Sequence, residues 1–242
     1  MFLEERYNEI LNRIENEGRV TVKELSKEFK VTEDCIRKDL RELEMRQKLK
    51  RVYGGAIGLR THNDIKPIDE RKNINVEMKR KIARNAVDII KEGEIIFLDT
   101  STNNLEIAKV IKECNMKLVI VTNMIEIIFE LRKCSNIKTI CVGGQFNTEV
   151  GAVVGAAADR YIKSFTFDKA FIGACGINKE TGFISTTSLE DGNTKKTIIE
   201  CSNKSYLVTE KEKFNYDEFY RFAKLEDIAG IITEDEIMVS FE

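Results

Sequence analysis

The sequence predicts an α/β fold class, with an N-terminal winged helix-turn-helix followed by a larger, mostly parallel α/β domain. Three helical patterns and a strand hairpin occupy residues 1–58, whereas strand and helix patterns alternate over residues 76–242. Between them, residues 59–75 have little apolar periodicity and contain the only proline of the chain, Pro67. We therefore predict a linker over residues 59–75.

The first domain opens with three helix signals. Apolar side chains recur at helical spacing over residues 2–16, and Gly18 is expected to end that helix. Thr21 followed by Glu24 matches a capping box that opens a second helix. Thr32 is the expected N-cap of a third. Short helices in this order, with a tight turn before the third, are typical of a helix-turn-helix.

The third helix, predicted over residues 33–46, has two faces with different chemistry. Ile36, Leu40 and Leu43 form a narrow apolar stripe at about 100° per residue. Arg37, Lys38 and Arg41 are on the opposite side. This division predicts a helix that packs on one side and presents cations to a partner on the other.

A basic strand hairpin is predicted after the third helix, over residues 48–55, with Gly54-Gly55 at its turn. Between Arg37 and Arg60 there are eight basic and three acidic residues, although the net charge of the whole chain is only −2. Most charged helix faces bind nothing and are simply solvated. The three helices, the turn and the basic hairpin together instead favour binding to DNA.

The larger domain is predicted from six β-rich runs with amphipathic helices between several of them. The predicted helices cover a segment containing Met78, Ile82, Ala86 and Ile89, then residues 105–111 and 125–133. The predicted strands are residues 95–98, 118–121, 138–142, 170–172, 205–208 and 230–232. Such alternation predicts a largely parallel sheet with helices on both faces.

Polar or glycine-rich turns follow several of these strands. In open parallel sheets, ligands gather at the carboxyl ends of the strands. The run from Asp99 to Asn103 leads into a helix start, which suits an anion such as phosphate. Each turn alone is more often an N-cap or a tight turn. For Glu190 and Lys195, a solvated helix face is as good an interpretation as contact with a ligand. Because several of these turns converge on one edge, we predict a small-molecule site there.

Composition excludes several classes of protein. The chain is 42% hydrophobic and 33% charged, as in globular domains, and no apolar run approaches the roughly 20 residues of a membrane span. Charges among the first 11 residues argue against a signal peptide, so we expect a cytoplasmic protein that does not bind membranes.

The cysteines and the single histidine argue against several kinds of chemistry. The six cysteines form no CxxC pair, so we expect free thiols, no metal site and no cofactor. His62 is the only histidine and is in a polar stretch, which argues against Ser-His-Asp catalysis.

The N-terminal domain resembles the DeoR family of transcriptional regulators. The resemblance is carried by VTVKELS at 20–26, FKVT at 29–32, IRKDLRELE at 36–44 and LKRVYGGA at 49–56. Cys35 replaces the usual Thr and Lys38 the usual Arg, both at or beside the expected base-reading face. The predicted DNA-binding residues are Thr32, Cys35, Arg37, Lys38, Arg41, Lys50, Arg51 and Tyr53.

The second domain resembles the DeoR-family sensor domain, which is similar in fold to ribose-5-phosphate isomerase and generally binds sugar phosphates. The matching segments are FLDTSTN at 97–103, VTN at 121–123, VGG at 142–144, DKAFIGACGI at 168–177, TGF at 181–183 and EKF at 212–214. The resemblance implies effector contacts from Asp99, Ser101, Thr102, Asn103, Thr122, Asn123, Gly143, Gly144, Gly173, Gly176, Glu190, Lys195 and Lys213.

This chain departs from the sensor-domain pattern at two places. Ser101 stands where glycine is common in the phosphate loop, and Glu210 to Phe214 replaces the usual Asp-x-Ser-Lys-Phe. Glu212 thereby adds a negative charge where an anion would approach. These departures predict an altered effector preference.

The resulting hypothesis is a repressor of a sugar or carbohydrate operon that binds a double-stranded DNA operator and responds to a phosphorylated sugar. Reading of paired half-sites implies a homodimer or homotetramer. One alternative is a sugar-phosphate isomerase fused to a DNA-binding module, with acid–base residues among Asp99, Asp168, Glu190 and Lys195. A scaffold with an inert α/β domain is the other. A dedicated DNA-binding domain favours regulation.

Overall fold

The structure, a computed structural model, describes residues 3–17, 19–58, 68–214 and 216–239. The backbone divides into two compact units, Met1–Ile65 and Lys66–Glu242. Gly18, the predicted end of the first helix, lies outside the described residues, as do residues 59–67 of the predicted linker.

The first unit contains three helices and a small sheet. In chain order its elements are α1 (Leu3–Glu17), β1 (Arg19–Thr21), α2 (Val22–Phe29), α3 (Glu33–Met45), β2 (Leu49–Val52) and β3 (Gly55–Gly58). The strands are antiparallel in the order β1-β3-β2, so β3 lies in the middle. This arrangement confirms the predicted winged helix-turn-helix.

One apolar core holds the first unit together. Ile36, Leu40 and Leu43 of α3 are at most 2% exposed and pack in one cluster with Ile10 of α1 and Leu25 of α2. The apolar stripe predicted for the third helix is therefore confirmed. Burial of side chains of this size contributes about 1.5–3 kcal/mol each relative to exposure.

The two predicted helix caps are also present. Thr21 Oγ1 accepts a hydrogen bond from the Glu24 N–H at 3.2 Å, and the Thr21 hydroxyl donates to Glu24 Oε2 at 2.7 Å. Thr32 Oγ1 accepts from the Cys35 N–H at 3.2 Å. Since these bonds satisfy N–H groups that a helix start leaves unpaired, they set where α2 and α3 begin.

Gly55 is required by the pairing of β1 with β3. A Cβ at Gly55 would lie 2.0 Å from the carbonyl oxygen of Val20, a backbone atom that cannot move aside while Thr21 pairs with Gly55. We expect Gly55→Ala to separate these strands and to weaken binding to duplex DNA. Gly58→Ala is the matched control, because its Cβ would meet only a side-chain methyl of Ile14, at 3.0 Å. Fluorescence anisotropy with a labelled duplex measures the Kd of both variants. Equal Kd values would contradict the expected separation of β1 from β3 in Gly55→Ala.

The second unit is built on a seven-stranded sheet with helices on both faces. Its elements up to α8 are α4 (Ile68–Arg71), α5 (Val76–Asp88), β4 (Ile95–Leu98), α6 (Thr102–Cys114), β5 (Leu118–Thr122), α7 (Ile125–Leu131), β6 (Ile137–Cys141), β7 (Gln145–Asn147), β8 (Ala152–Val154) and α8 (Ala156–Ile162). They are followed by β9 (Lys169–Ile172), β10 (Gly176–Ile177), β11 (Phe183–Thr186), α9 (Leu189–Glu200), β12 (Ser205–Val208), β13 (Tyr220–Lys224), β14 (Gly230–Ile232) and β15 (Ile237–Val239).

The large sheet has the strand order β15-β14-β12-β9-β4-β5-β6, and every pair is parallel except β14 with β15. Side chains of β4 alternate between two cores: Ile96 and Leu98 pack in one and Phe97 in the other. Both faces of the sheet are therefore covered, which confirms the predicted mostly parallel α/β domain. None of the described helices is long and apolar enough to cross a membrane.

The six predicted strands are all present within one or two residues of their predicted ends. Elements that the pattern did not predict are the short hairpin of β7 and β8, the small antiparallel sheet of β10, β11 and β13, the edge strand β15, and helices α8 and α9. Most of these strands have only two to four residues, too few to show an alternation.

Part of the predicted linker is folded. Residues 68–71 form α4, and Ile68 is 7% exposed within the core beside α5 and α6. A single buried isoleucine makes no periodic pattern, so sequence periodicity could not place this turn of helix in the second unit.

Candidate functional site

The exposed face of α3 carries the predicted cations. Arg37, Lys38 and Arg41 are exposed, whereas Thr32 is occupied in capping the helix and Cys35 is half-buried. On the neighbouring hairpin, Lys50 and Arg51 are exposed, and Tyr53 at the turn is fully exposed. The fold therefore presents a cationic helix face and an exposed hairpin tip, the two parts that a winged helix-turn-helix uses on DNA.

These cations differ in how they are paired. Arg37 contacts Glu33 and Asp34 of its own helix, at 2.6 and 2.7 Å. Arg51 contacts Glu44 at 2.6 Å. Among the described residues, the remaining predicted cations, Lys38, Arg41 and Lys50, have no ion pair, so their charge is available to a polyanion.

A buried ion pair joins α3 to α1. Arg6 donates from Nε and Nη2 to the two carboxylate oxygens of Asp39, at 2.5 and 3.0 Å, and both side chains are at most 10% exposed. The Asp39 carboxylate raises the pKa of Arg6. Sequence reasoning missed this pair because Asp39 belongs to an apparently solvated run of charges. The Arg6–Asp39 pair therefore fixes α3 to α1 on the buried side of α3.

A second candidate site lies at the carboxyl edge of the large sheet. Parallel strands β12, β9, β4, β5 and β6 are adjacent, so the residues that follow them share this edge. Thr209, Gly173, Asp99 and Asn123 directly follow their strands, and Gly143 is the second residue after β6. The first four are buried and Gly143 is exposed. The predicted convergence of polar turns on one edge is therefore present.

Asp99 is the centre of a buried polar cluster at this edge. Its Oδ1 accepts from the Gly173 N–H at 3.0 Å and from Asn104 Nδ2 at 2.5 Å, and its Oδ2 pairs with the Lys195 ammonium. Lys195 also lies 3.3 Å from Asp191 Oδ1. The cluster brings together the predicted residues Asp99, Gly173 and Lys195, and sequence reasoning missed Asn104 and Asp191.

Lys195 is held as a cation within this cluster. Burial alone would lower the pKa of Lys195, but the Asp191 and Asp99 carboxylates outweigh burial and raise it. Asp191 is in turn held by the Thr186 hydroxyl, which donates to its Oδ2 at 2.7 Å. Two carboxylates thus share one ammonium group, all nine-tenths or more buried. Two carboxylates against one ammonium group leave acceptor oxygens in excess, which suits a ligand with hydroxyl groups.

The N-terminus of α6 lies beside the cluster. Ser101 caps the helix by accepting from the Asn104 N–H at 3.1 Å, and a Cβ at Gly173 would lie 2.5 Å from Ser101 Cβ. Thr100 Oγ1 and Asn103 Oδ1 are buried without a hydrogen-bond partner among the described residues. Thr102 at the first helical position is buried. Buried polar atoms without partners at a 13-residue helix start indicate a place for a polar ligand.

Asn123 connects this edge to the β7–β8 hairpin. Asn123 Nδ2 donates to the Val153 carbonyl at 3.2 Å, and the Val153 N–H donates to the Asn123 carbonyl at 2.9 Å. The hydroxyl of Thr122 accepts from the Met124 N–H at 3.1 Å. Gly144 is exposed before the hairpin, with a φ of +151°. The hairpin is therefore anchored directly at the strand ends.

The remaining predicted site residues lie around this edge or beyond it. Glu190 is exposed and accepts from Asn147 Nδ2 at 3.2 Å. Lys213 pairs at 3.0 Å with Glu210, which is the second residue after β12. Gly176 belongs to the small antiparallel sheet, where a Cβ would lie 2.6 Å from the Tyr216 carbonyl oxygen. Among the described residues, no hydrogen bond or ion pair joins Glu190, Lys213 or Gly176 to the Asp99 cluster.

Glu210, one of the departures noted in the sequence, is a buried carboxylate. Burial would raise the pKa of Glu210, but the Lys213 ammonium, its hydrogen bond and Lys79 lower the pKa to about 2. Lys79 is itself 4% exposed and donates to the carbonyl of Arg71. Lys213 is therefore neutralised by one carboxylate, whereas Lys195 is shared by two.

Asp168, an acid–base candidate in the isomerase alternative, lies at the opposite edge of the sheet. Its Oδ2 accepts from the N–H of Ile95, the first residue of β4, at 2.8 Å. Asp99 follows the last residue of the same strand. The four proposed acid–base residues therefore do not form one site.

Two family models together match most of the chain. Residues 6–61 match the DeoR-like helix-turn-helix domain, and residues 74–235 match the DeoR C terminal sensor domain. The chain is 31% identical over 234 residues to the HTH-type transcriptional regulator YulB of Bacillus subtilis, covering 97% of this chain and 90% of that protein.

Two further relatives are named as repressors. The lactose phosphotransferase system repressor of Staphylococcus epidermidis is 27% identical over 234 residues, with 96% of this chain and 92% of that protein covered. The HTH-type transcriptional repressor GlcR of Bacillus subtilis is 29% identical over 234 residues, with 97% and 89% covered.

Solved structures resemble part of the chain at lower identity. The eIF2B delta subunit from Chaetomium thermophilum has a TM-score of 0.50 and 17% identity, covering 70% of this chain and 58% of that one. Ribose 5-phosphate isomerase A from Methanocaldococcus jannaschii has a TM-score of 0.43 and 17% identity, covering 58% and 55%. Likenesses at this identity concern the fold alone. The two family models and the full-length relatives, in contrast, agree with the helix-turn-helix and the sheet described above, and the chain belongs to the DeoR family of DNA-binding transcriptional regulators.

Proposed function

We propose that this protein represses a carbohydrate operon and is released from its operator by a phosphorylated sugar. The names of two relatives, a lactose phosphotransferase system repressor and the repressor GlcR, support repression and a link to sugars. The observation that carries the effector half is the buried cluster of Asp99, Asp191 and Lys195 beside the α6 N-terminus.

The DNA half is assigned to α3 and the β2–β3 hairpin. Arg37, Lys38 and Arg41 are proposed to contact bases and phosphates, while Lys50, Arg51 and Tyr53 contact the backbone. Exposure of all six side chains supports this assignment. Thr32 and Cys35 lie at the start of the same helix, where they border this surface.

The effector half is assigned to the carboxyl edge of the sheet. Backbone N–H groups at the start of α6 suit a phosphate, and the carboxylates held by Lys195, with the nearby amide oxygens, suit sugar hydroxyls. Asp99, Ser101, Thr102, Asn103 and Asn123 line this edge. Thr122, Gly143, Gly144, Gly173, Gly176, Glu190 and Lys213 complete the proposed set, with Gly176, Glu190 and Lys213 at its periphery.

Contacts of residues 68–72 support a switch that acts through the start of the second unit. A Cβ at Gly151, in the turn of the β7–β8 hairpin, would lie 2.9 Å from Ile68 Cγ2. Lys72 pairs with Glu126 of α7 at 3.0 Å, and Lys79 donates to the Arg71 carbonyl. The hairpin is hydrogen-bonded to Asn123 through Val153, and α7 begins two residues after Asn123. An effector that favours one arrangement of these elements would shift the population away from the DNA-bound form.

A homodimer or homotetramer is proposed because helix-turn-helix proteins read two half-sites spaced by about one DNA turn or a multiple of it. Sedimentation equilibrium of the full chain measures this directly. A monomer at the concentration that saturates DNA would contradict it.

The test of the proposed function is release from DNA. A duplex selected from a random library is bound to the full chain and titrated with ribose 5-phosphate, glucose 6-phosphate and fructose 6-phosphate. We expect at least one phosphate ester to release the DNA while the unphosphorylated sugars and inorganic phosphate do not. Saturation at 100 times Kd should also raise stability by about 2.7 kcal/mol, visible as a higher Tm. No release by any phosphorylated sugar would overturn the sensing claim.

Ser101→Asp should abolish the response to the sugar phosphate without unfolding the protein. Aspartate caps helices as well as serine does, but its charge would repel an anion at the start of α6. We expect the Kd for the ester that releases the DNA, measured by calorimetry, to rise about tenfold or more. Such a rise corresponds to a loss of roughly 1.4 kcal/mol of binding free energy. Thr21→Asp, which makes the same change at the cap of α2, is the control and should leave that Kd unchanged. Equal Kd values for the two variants would place the anion elsewhere.

A further inference from the structure

The side chain of Glu44 attaches the β2–β3 hairpin to α3. Glu44 lies in the last turn of α3, and its carboxylate accepts two hydrogen bonds from Arg51 on β2. Oε1 accepts the backbone N–H at 2.8 Å and Oε2 accepts the guanidinium Nε–H at 2.6 Å. These hydrogen bonds lower the pKa of Glu44, the side-chain bond most. A single carboxylate thereby holds both the main chain and the side chain of Arg51.

The backbone bond has a structural consequence for β2. The order β1-β3-β2 makes β2 an edge strand, which leaves outward N–H groups without a partner strand. Glu44 satisfies one of them from the helix. The hairpin is therefore joined to α3 by a polar contact between Glu44 and Arg51, which are seven residues apart. Buried Leu49 adds an apolar contact.

The guanidinium bond changes the role expected for Arg51. A charge already paired with a carboxylate at 2.6 Å must lose that partner before it can bind a phosphate. Lys50, its neighbour on the same strand, is exposed and has no ion pair among the described residues. Lys48 is likewise exposed and without an ion pair among those residues. Phosphate contacts are thus available at no such cost from Lys50 on this strand and from Lys48, the residue before it.

We propose that Glu44 is a positioning residue for DNA recognition and that Arg51 is its strut rather than a phosphate contact. Glu44 sets the angle between the hairpin and α3 before DNA arrives, so that both elements meet the duplex together. A hairpin without this attachment would have to be ordered during binding, and that ordering would reduce affinity. The inference rests on the proposed DNA surface, replaces the backbone contact proposed above for Arg51, and adds to the surface a residue of the same charge sign as DNA.

The sign of one substitution separates this role from simple electrostatics. Removing an acidic group beside a polyanion ordinarily tightens binding. For Glu44→Gln we instead expect binding to a duplex of about 30 base pairs to weaken about threefold to tenfold at every salt concentration. Glu42→Gln is the matched control, since Glu42 is on the same helix and bonds Arg46 within that helix at 2.9 Å. It should bind as tightly as the wild type or more tightly.

The salt dependence of binding distinguishes Arg51 from Lys50. Lys50→Ala should lower the slope of log K against log salt by about 0.9, the loss of one phosphate contact. Arg51→Ala and Arg51→Lys should both weaken binding with the slope unchanged, because lysine keeps the charge but cannot form the same paired contact. The double variant Glu44→Gln/Arg51→Ala should bind no more weakly than the weaker single variant.

Each outcome has a separate meaning. If Lys50→Ala leaves the slope unchanged, the proposed DNA surface is wrong. If Lys50→Ala lowers the slope but Arg51→Ala lowers it equally, or if Arg51→Lys binds like the wild type, Arg51 contacts phosphate and the strut role is wrong. Binding by Glu44→Gln that equals or exceeds that of the wild type also overturns the proposal. Circular dichroism melts of the same samples show whether a variant has unfolded. If Arg51→Ala does not fold, the milder variant Arg51→Lys tests the role of Arg51.

Discussion

Replacing Lys195 by methionine is expected to lower the free energy of unfolding of the second unit by about 3–5 kcal/mol at neutral pH. Lys195 is 3% exposed and neutralises Asp99 and Asp191, which are 0% and 5% exposed. Methionine fills a similar volume but leaves two carboxylates buried without a cation. The cost is therefore that of uncompensated buried charge rather than of lost packing.

The control for this variant is its neighbour. Lys196 is on the same helix, exposed and without an ion pair among the described residues, so Lys196→Met should change stability by less than about 0.5 kcal/mol. Urea denaturation followed by circular dichroism gives both values. A Lys195→Met variant as stable as Lys196→Met would show that the cluster does not hold an ionised lysine.

The pH dependence of the Lys195→Met variant has a definite sign. Burial raises the pKa of Asp99 in the folded state even beside Lys195, and loss of the ammonium group removes the charge that opposes this rise. The folded variant then binds more protons than the unfolded chain. Its stability deficit is largest above the raised folded pKa of Asp99 and shrinks as the pH falls through that pKa towards the unfolded carboxyl pKa, near 4. Denaturation of both proteins at several pH values measures this; a constant deficit would contradict it.

Asp39→Ala is expected to abolish DNA binding by unfolding the first unit. Removal of the carboxylate leaves the Arg6 guanidinium buried without its partner, at a cost of about 3–5 kcal/mol. A unit of this size buries only about 60% of its unfolded surface and has little stability to lose. Loss of α3 from its place would remove the whole cationic face, whereas the second unit should keep its own melting transition.

Asp34→Ala is the matched control for Asp39→Ala. Asp34 is on the same helix with an 83% exposed side chain, and its pair with Arg37 is an exposed one that contributes at most about 1 kcal/mol. Hydrogen exchange of the α3 amides compares the variants directly. Equal protection in both would show that the buried pair with Arg6 does not hold α3.

Local sequence patterns predicted much of this fold. The stripe of Ile36, Leu40 and Leu43 placed the inner face of α3, and the Thr21 and Thr32 caps placed two helix starts. Six strands of the parallel sheet were found because buried strands read as short apolar runs. Strands such as β7 and β10 were missed, since two or three residues with polar or glycine members carry no alternation.

The site was predicted less completely than the fold. Residues that follow the strands, such as Asp99 and Asn123, could be predicted because parallel strands end at one edge. Asn104 and Asp191 were missed, because a polar residue on a helix gives no sign in sequence of whether it points into a cluster. Asp168 directly precedes β9, so the same rule places it at the other edge of the sheet.

The sequence by itself determined the family, the order of the elements and the local concentration of positive charge, because each depends on residues close together along the chain. Only the tertiary structure decided which charges are free and which are paired. Arg6 meets Asp39 across 33 residues, Lys195 meets Asp99 across 96, and Arg51 is held by Glu44 from another element. Whether a charged side chain is buried, paired or available depends on what packs against it, and that is set by contacts between distant segments.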